Sequence, residues 1–256
     1  MLLRRFTKHI TDQNWFAVVL DVIVVVVGIF LGMQVTEWNE NRKNHIDAKD
    51  FISRIHNEVL AVEQTSSRVR ERRLNLISPL NNAAVIIFDK NKSGILTDDH
   101  CLALGTSHYF NIAISDLPSF VELMSAGRVA ILEDHQLRTA LIELQQTLGM
   151  LKETIQDSNI SAHNLPIDHP NLVKSEPYYD EALGEMQGQY KCDLIEMQKS
   201  QSFLNAVSEN VDAYDAYLRD GLRPWSTQMT RVHYLLDKNL GYEHVTENPA
   251  VGRSTH

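Results

Sequence analysis

Between Trp15 and Met33 the chain reads WFAVVLDVIVVVVGIFLGM, a run of about 19 residues in which Asp21 is the only charged side chain. A helix of that length matches a hydrocarbon core of about 30 Å at 1.5 Å per residue. Lipid offers the backbone no hydrogen bonds, so the run must be helical if it crosses. We read residues 15–36 as one transmembrane helix. A cleaved signal peptide is the competing reading, but the run is long for such a segment and no A-x-A-like site precedes Trp38. The next apolar run, AAVIIF at 83–88, is too short to cross again.

Charge sets the expected direction. Arg4, Arg5 and Lys8 precede the span with only Asp12 against them, whereas Glu37 and Glu40 follow it before Arg42 and Lys43. The positive-inside bias then makes residues 1–14 a basic cytoplasmic tail and puts the chain after about residue 38 on the other side. Trp15 and Trp38 fall where interfacial aromatic belts sit, and Leu2, Leu3, Phe6 and Ile10 among the basic residues suit a short helix on anionic lipid.

One face of the span is unlike the rest. Asp21, Gly28 and Gly32 are seven and four residues apart, which puts both glycines within about 20° of the acid. Gly-x-x-x-Gly lets two membrane helices approach closely, and an intramembrane acid prefers a helix interface to lipid. The competing reading is a span with incidental glycines and an Asp21 that snorkels to the surface.

Beyond the span, helical spacing dominates. Ile52, Ile55, Val59, Val62 and Val69 form one stripe, which extends the anchor helix outward; Leu137, Leu141, Leu144, Leu148, Leu151 and Ile155 form a second. Leu204, Val207, Val211, Tyr214 and Leu218 repeat the spacing, as do Trp225, Met229, Val232 and Leu236. The expected fold is all-α: the membrane helix followed by an extracytoplasmic helical bundle, with a first part at 37–158, a proline-containing loop at 159–180, a second part at 181–242 and a flexible tail at 243–256. Pro118 should start a short helix that Gly127 ends, Gly221 with Pro224 should separate the last two helices, and Pro166, Pro170 and Pro177 should keep their stretch irregular.

Chemistry-bearing groups are sparse. A net charge of -9 argues against nucleic acid, which needs clustered positive charge; RVRERR at 68–73 reads as a solvated helix face. Cys101 and Cys192 are either a disulfide, in an oxidising compartment, or two separate buried thiols. The stretch Asp89 to His100 fits a calcium loop at Asp89, Asn91, Ser93, the Ile95 carbonyl and Thr97, but His100 replaces the bidentate Glu at its last position. That leaves a weak Ca²⁺ site or, preferably, a polar turn with Gly94 as a cap. None of the 11 histidines sits in H-E-x-x-H or another recognised spacing, so His100, His108, His163 and His169 read as solvated or packed. With no nucleophile elbow, phosphate loop or dinucleotide fingerprint, no enzyme and no cofactor are expected.

Two patches resemble a bacterial family of N-terminally anchored, single-pass membrane proteins of unknown function. The first is Asp21 followed by GIFLGMQVTEWNENRK, with Gln34 ending the small-residue helix and Trp38, Asn39 and Glu40 just outside. The second is FVELMSAGRVAILEDHQLR at 120–138, carrying Leu123, Ser125, Gly127, Leu137 and Arg138; Phe120, Ala126 and Asp21 depart from the family's Tyr, Ser and Glu. The resemblance implies an anchored helical protein of the bacterial inner membrane and supplies no activity. The expected function is therefore a non-enzymatic scaffold or interaction protein that touches lipid and either a second copy or another membrane protein. LDVIVVVV is also similar to the span of proton-channel stator subunits of the biopolymer-transport kind, which makes an ion-coupled channel accessory using Asp21 the alternative. An extracytoplasmic ligand- or Ca-binding module is third.

Overall fold

In the computed structural model, residues 15–89, 94–112, 114–181 and 184–243 are described. The expected basic tail at 1–14 and almost all of the tail at 243–256 lie outside them. The chain divides into two units, one up to Asp50 and one from Phe51 onward. Helix α1, Trp15–Phe88, contributes to both.

In the first unit the long apolar stretch is helical and its side chains face outward: Val27 is 49% exposed and Val35 64%. A face this apolar has no folded-state rationale in water, and the helix is long and apolar enough to cross a membrane.

The second unit is predominantly helical. It comprises the rest of α1, then α2 (Asp98–Thr106), α3 (Pro118–Ser125), a 3₁₀ turn (Val129–Ile131), α4 (His135–Ser161), α5 (Leu165–Asp168), strands β1 (Val173–Asp180) and β2 (Glu185–Cys192), α6 (Leu194–Met197), α7 (Gln201–Ala216), a π-helical segment (Tyr217–Leu222) and α8 (Arg223–Leu240). Each expected stripe is the buried face of its helix. Ile55 and Val59 of α1, Leu137, Leu141 and Leu151 of α4, Val207 and Tyr214 of α7, and Trp225, Val232 and Leu236 of α8 are all completely buried in one cluster. Burying each such aliphatic or aromatic side chain contributes about 1.5–3 kcal/mol. α4 packs along α8, the π segment and α7, and α2 packs on the strands.

The all-α expectation and the 159–180 loop need correction. α4 continues to Ser161, Asn164 caps α5 by accepting from Ile167 N, and β1 pairs antiparallel with β2 from Val173↔Cys192 to Asp180↔Glu185. The prolines are accommodated where they do no harm. Pro166 occupies the first turn of α5, where its missing N–H would be unpaired anyway, and Pro177 lies opposite Gly188 in a hairpin whose strands are both edges. Residues 185–192, expected to begin the second helical part, are the return strand.

The punctuation behaves unevenly. Pro118 does start α3, and Gly127 at φ +65° ends it: Arg128 N donates to Leu123 O and Gly127 N to Met124 O, the paired bonds of a left-handed C-terminal cap. Gly221 and Pro224 do not separate two helices. The chain passes from α7 through the π segment into α8, with Pro224 in the first turn of α8. A Cβ on Gly221 would come 2.9 Å from Leu151 Cδ1 and 3.5 Å from Leu151 Cα, so here glycine serves close packing against α4.

Candidate functional site

In the first unit, Asp21, Gly28 and Gly32 all lie in α1, and nothing comes within 4 Å of where a Cβ on either glycine would be. Thr36 donates its hydroxyl back to Gly32 O at 3.1 Å, which keeps this polar group satisfied inside the helix. Gln34, Trp38, Asn39 and Glu40 follow on the same helix, with Trp38 64% exposed.

The segment 120–138 is a capping unit. Leu123 and Leu137 are fully buried, while Ser125 and Gly127 form the exposed end of α3. Asp134 caps α4 by accepting from Gln136 N and Leu137 N, and the Arg138 guanidinium donates to Leu132 O at 3.0 Å. α3 is held at its other end by α1: Ser119 donates its backbone N–H and its hydroxyl to the Glu58 carboxylate, at 3.1 and 2.6 Å, and accepts from Arg54 Nε.

Of the expected calcium loop, Asn91 and Ser93 lie outside the described residues. Thr97 is instead the N-cap of α2: its Oγ1 accepts from His100 N while its own N–H donates to His100 Nδ1. Gly94 does not adopt a left-handed conformation; a Cβ there would meet the Ile86 side chain. Asp89 and Ile95 flank the undescribed residues, Ile95 being 83% exposed. The residue that fails the calcium pattern, His100, is the one that completes the cap. At the fourth residue of α2, Cys101 is bonded to Cys192 of β2, with Cα atoms 5.7 Å apart, so of the two cysteine readings the disulfide is the one found.

A cluster that the linear spacing did not reveal lies between α1 and α8. His56 Nε2 is 2.8 Å from Asp237 Oδ1, His233 Nε2 is 3.5 Å from Asp237 Oδ2, and His233 Nδ1 is 2.8 Å from Glu63 Oε2. The His56, Asp237 and His233 side chains are only 10%, 6% and 15% exposed. Gly241, at φ +74°, ends α8 and turns Tyr242 back so that its ring stands edge-on to His56 at 5.5 Å. His233 and Asp237 are four residues apart on a helix, which is a ligand spacing after all; their partners, 170 and 181 positions away, could not be read from the sequence.

The other expected histidines, His108, His163 and His169, are all partly buried. His108 is half-buried and both its ring nitrogens lack a hydrogen-bond partner; burial, then the Arg73 charge, hold its pKa below 6.5, against a smaller upward pull from Asp168. His163 pairs with Glu209 at 2.7 Å, and His169 stands edge-on to Phe203. Nearby, burial pushes the Tyr214 hydroxyl up to about 12.

No protein-family model, curated protein or solved structure matches this chain.

Proposed function

We propose that this protein is a single-span scaffold of the bacterial inner membrane, with its N-terminus in the cytoplasm and a helical bundle outside, and that it acts without catalysis by associating through its membrane helix with a second copy or another membrane protein. The carrying observation is the outward-facing apolar stretch of α1 that bears one acid and two uncovered glycines on one face. Leu- and Val-rich surface alone gains nothing from helix pairing in lipid, whereas a small-residue groove allows backbone approach and gives the carboxyl group a polar surrounding. The Cys101–Cys192 bond supports an oxidising compartment for the second unit, and the likeness of Gly28–Lys43 to an anchored bacterial family supports the envelope.

The test is chemical crosslinking in native membranes. The parent should give a defined oligomer or heteromer, and Gly28→Leu with Gly32→Leu should reduce it several-fold. Monomer alone, unchanged by the glycine substitutions, would overturn the reading. Asp21→Asn separates the alternative: a scaffold keeps its crosslinks and its cellular role, whereas an ion-coupled accessory keeps its crosslinks and loses the role.

A further inference from the structure

The geometry points to a divalent transition-metal site of the zinc class, formed by His56 Nε2, His233 Nε2 and a carboxylate oxygen of Asp237, with Glu63 orienting His233 from behind. One donor atom from each of the three residues lies within 4.8 Å of the other two. Tetrahedral coordination at about 2.0–2.2 Å per bond requires donor atoms roughly 3.3–3.5 Å apart. His233 Nε2 stands 3.5 Å from one Asp237 oxygen, Oδ2, and His56 Nε2 stands 2.8 Å from the other, Oδ1, so a rotation of the carboxylate that brings one oxygen between the two imidazoles is the adjustment that this spacing asks of the site.

Four features converge on a cation. Two imidazoles and one carboxylate are a donor set for zinc or a neighbouring transition metal, and a poor one for Ca²⁺ or Mg²⁺, which prefer oxygen. The His233 Nδ1 contact with Glu63, at 2.8 Å, leaves Nε2 as the coordinating nitrogen, the arrangement of carboxylate–histidine–metal sites. His233 and Asp237 fall near the C-terminal end of α8, the negative end of the helix dipole. The site is also largely buried, with the Tyr242 ring against His56, so water competes weakly for the ligands. Three protein ligands leave a fourth position for water or a partner's side chain. Binding replaces the contact between His56 Nε2 and Asp237 Oδ1 with bonds from both groups to the metal.

The test uses the full chain in detergent micelles, stripped with a chelator, then given one equivalent of Zn²⁺ alone and passed through a desalting column. Elemental analysis should find about one zinc per chain, and the unfolding midpoint should rise with zinc. Asp237→Asn, which keeps size and hydrogen bonding, and separately His56→Gln, should each reduce retained zinc at least tenfold. Glu63→Gln should weaken affinity roughly 10- to 100-fold while keeping the stoichiometry at saturating metal. The inference is overturned if the parent retains no zinc and its midpoint does not move, which would make the cluster a hydrogen-bonded joint between α1 and α8. It is equally overturned if both ligand variants retain as much zinc as the parent, because the metal would then sit among other histidines. Neither result depends on the side of the membrane or on helix association.

Discussion

Asn210, completely buried on α7, ties three segments together. Its Oδ1 accepts from His163 N, and its Nδ2 donates to His163 O at 2.8 Å and to Ser107 Oγ at 2.7 Å. Replacing Asn210 by Ala strands these partners without water, so urea denaturation should show a loss of about 1–3 kcal/mol, set by the desolvation of groups left unpaired. His108 gives the second prediction at this scale. Its folded pKa lies below 6.5, so the unfolded chain takes up a proton more readily; the resulting stability is full above about pH 6.5 and is lost as pH falls toward the folded value. His108→Gln should flatten the fall in stability between about pH 7.5 and about pH 5.5, the range around the unperturbed histidine pKa, read by denaturant midpoints at fixed ionic strength. The legibility of such residues is uneven. Asp21 and the two glycines could be placed on one face from spacing alone because they share one helix. His56 and Asp237 are 181 positions apart, and only the packing of α1 on α8 brings them together.

At the scale of elements, the four apolar stripes were legible because each helix buries one face in a common core, and a 3.6-residue period records that burial directly. The hairpin was not. Lys174, Ser175, Glu176, Tyr178 and Tyr179 of β1 are all exposed, so neither face of the strand imposes apolar alternation, and three prolines nearby signal irregular chain. What holds the hairpin is its seam with α2. Cys101 and Gly105 are one helical turn apart, and Cys192 and Tyr190 are two strand positions apart, so disulfide and ring meet the helix on one line. A Cβ on Gly105 would overlap the edge atoms Cγ, Cδ1 and Cε1 of the Tyr190 ring. Gly105→Ala should therefore cost about 1–3 kcal/mol as an overpacked contact, with hydrogen exchange of the β1 and β2 amides accelerated more than that of α4 and α8. The π segment was equally hidden, since Gly221 and Pro224 signal a break in isolation; in the fold Gly221 lies within the π segment against Leu151, and Pro224 sits in the first turn of α8.

For the second unit as a whole, the disulfide is the largest single tie. It joins residues 91 positions apart, enclosing everything from α2 to β2, including α3, α4 and α5. In the chain-entropy description a loop of that size restricts the unfolded ensemble by about 4–5 kcal/mol. Domains of this kind have a total stability of roughly 5–15 kcal/mol, so the bond accounts for about a quarter of it or more. Cys101→Ser with Cys192→Ser should lower the denaturant midpoint accordingly, with the slope of the transition steeper because the unfolded chain expands further. The same pair tests the proposed topology independently of stability. In intact cells neither thiol of the parent should react with a membrane-impermeant maleimide; in the Cys101→Ser variant the remaining Cys192, partly exposed at the end of β2, should react from the outside without lysis. Labelling of that variant only after the cells are opened would put the second unit in the cytoplasm, reverse the proposed orientation, and leave the bond between α2 and β2 without a compartment to maintain it.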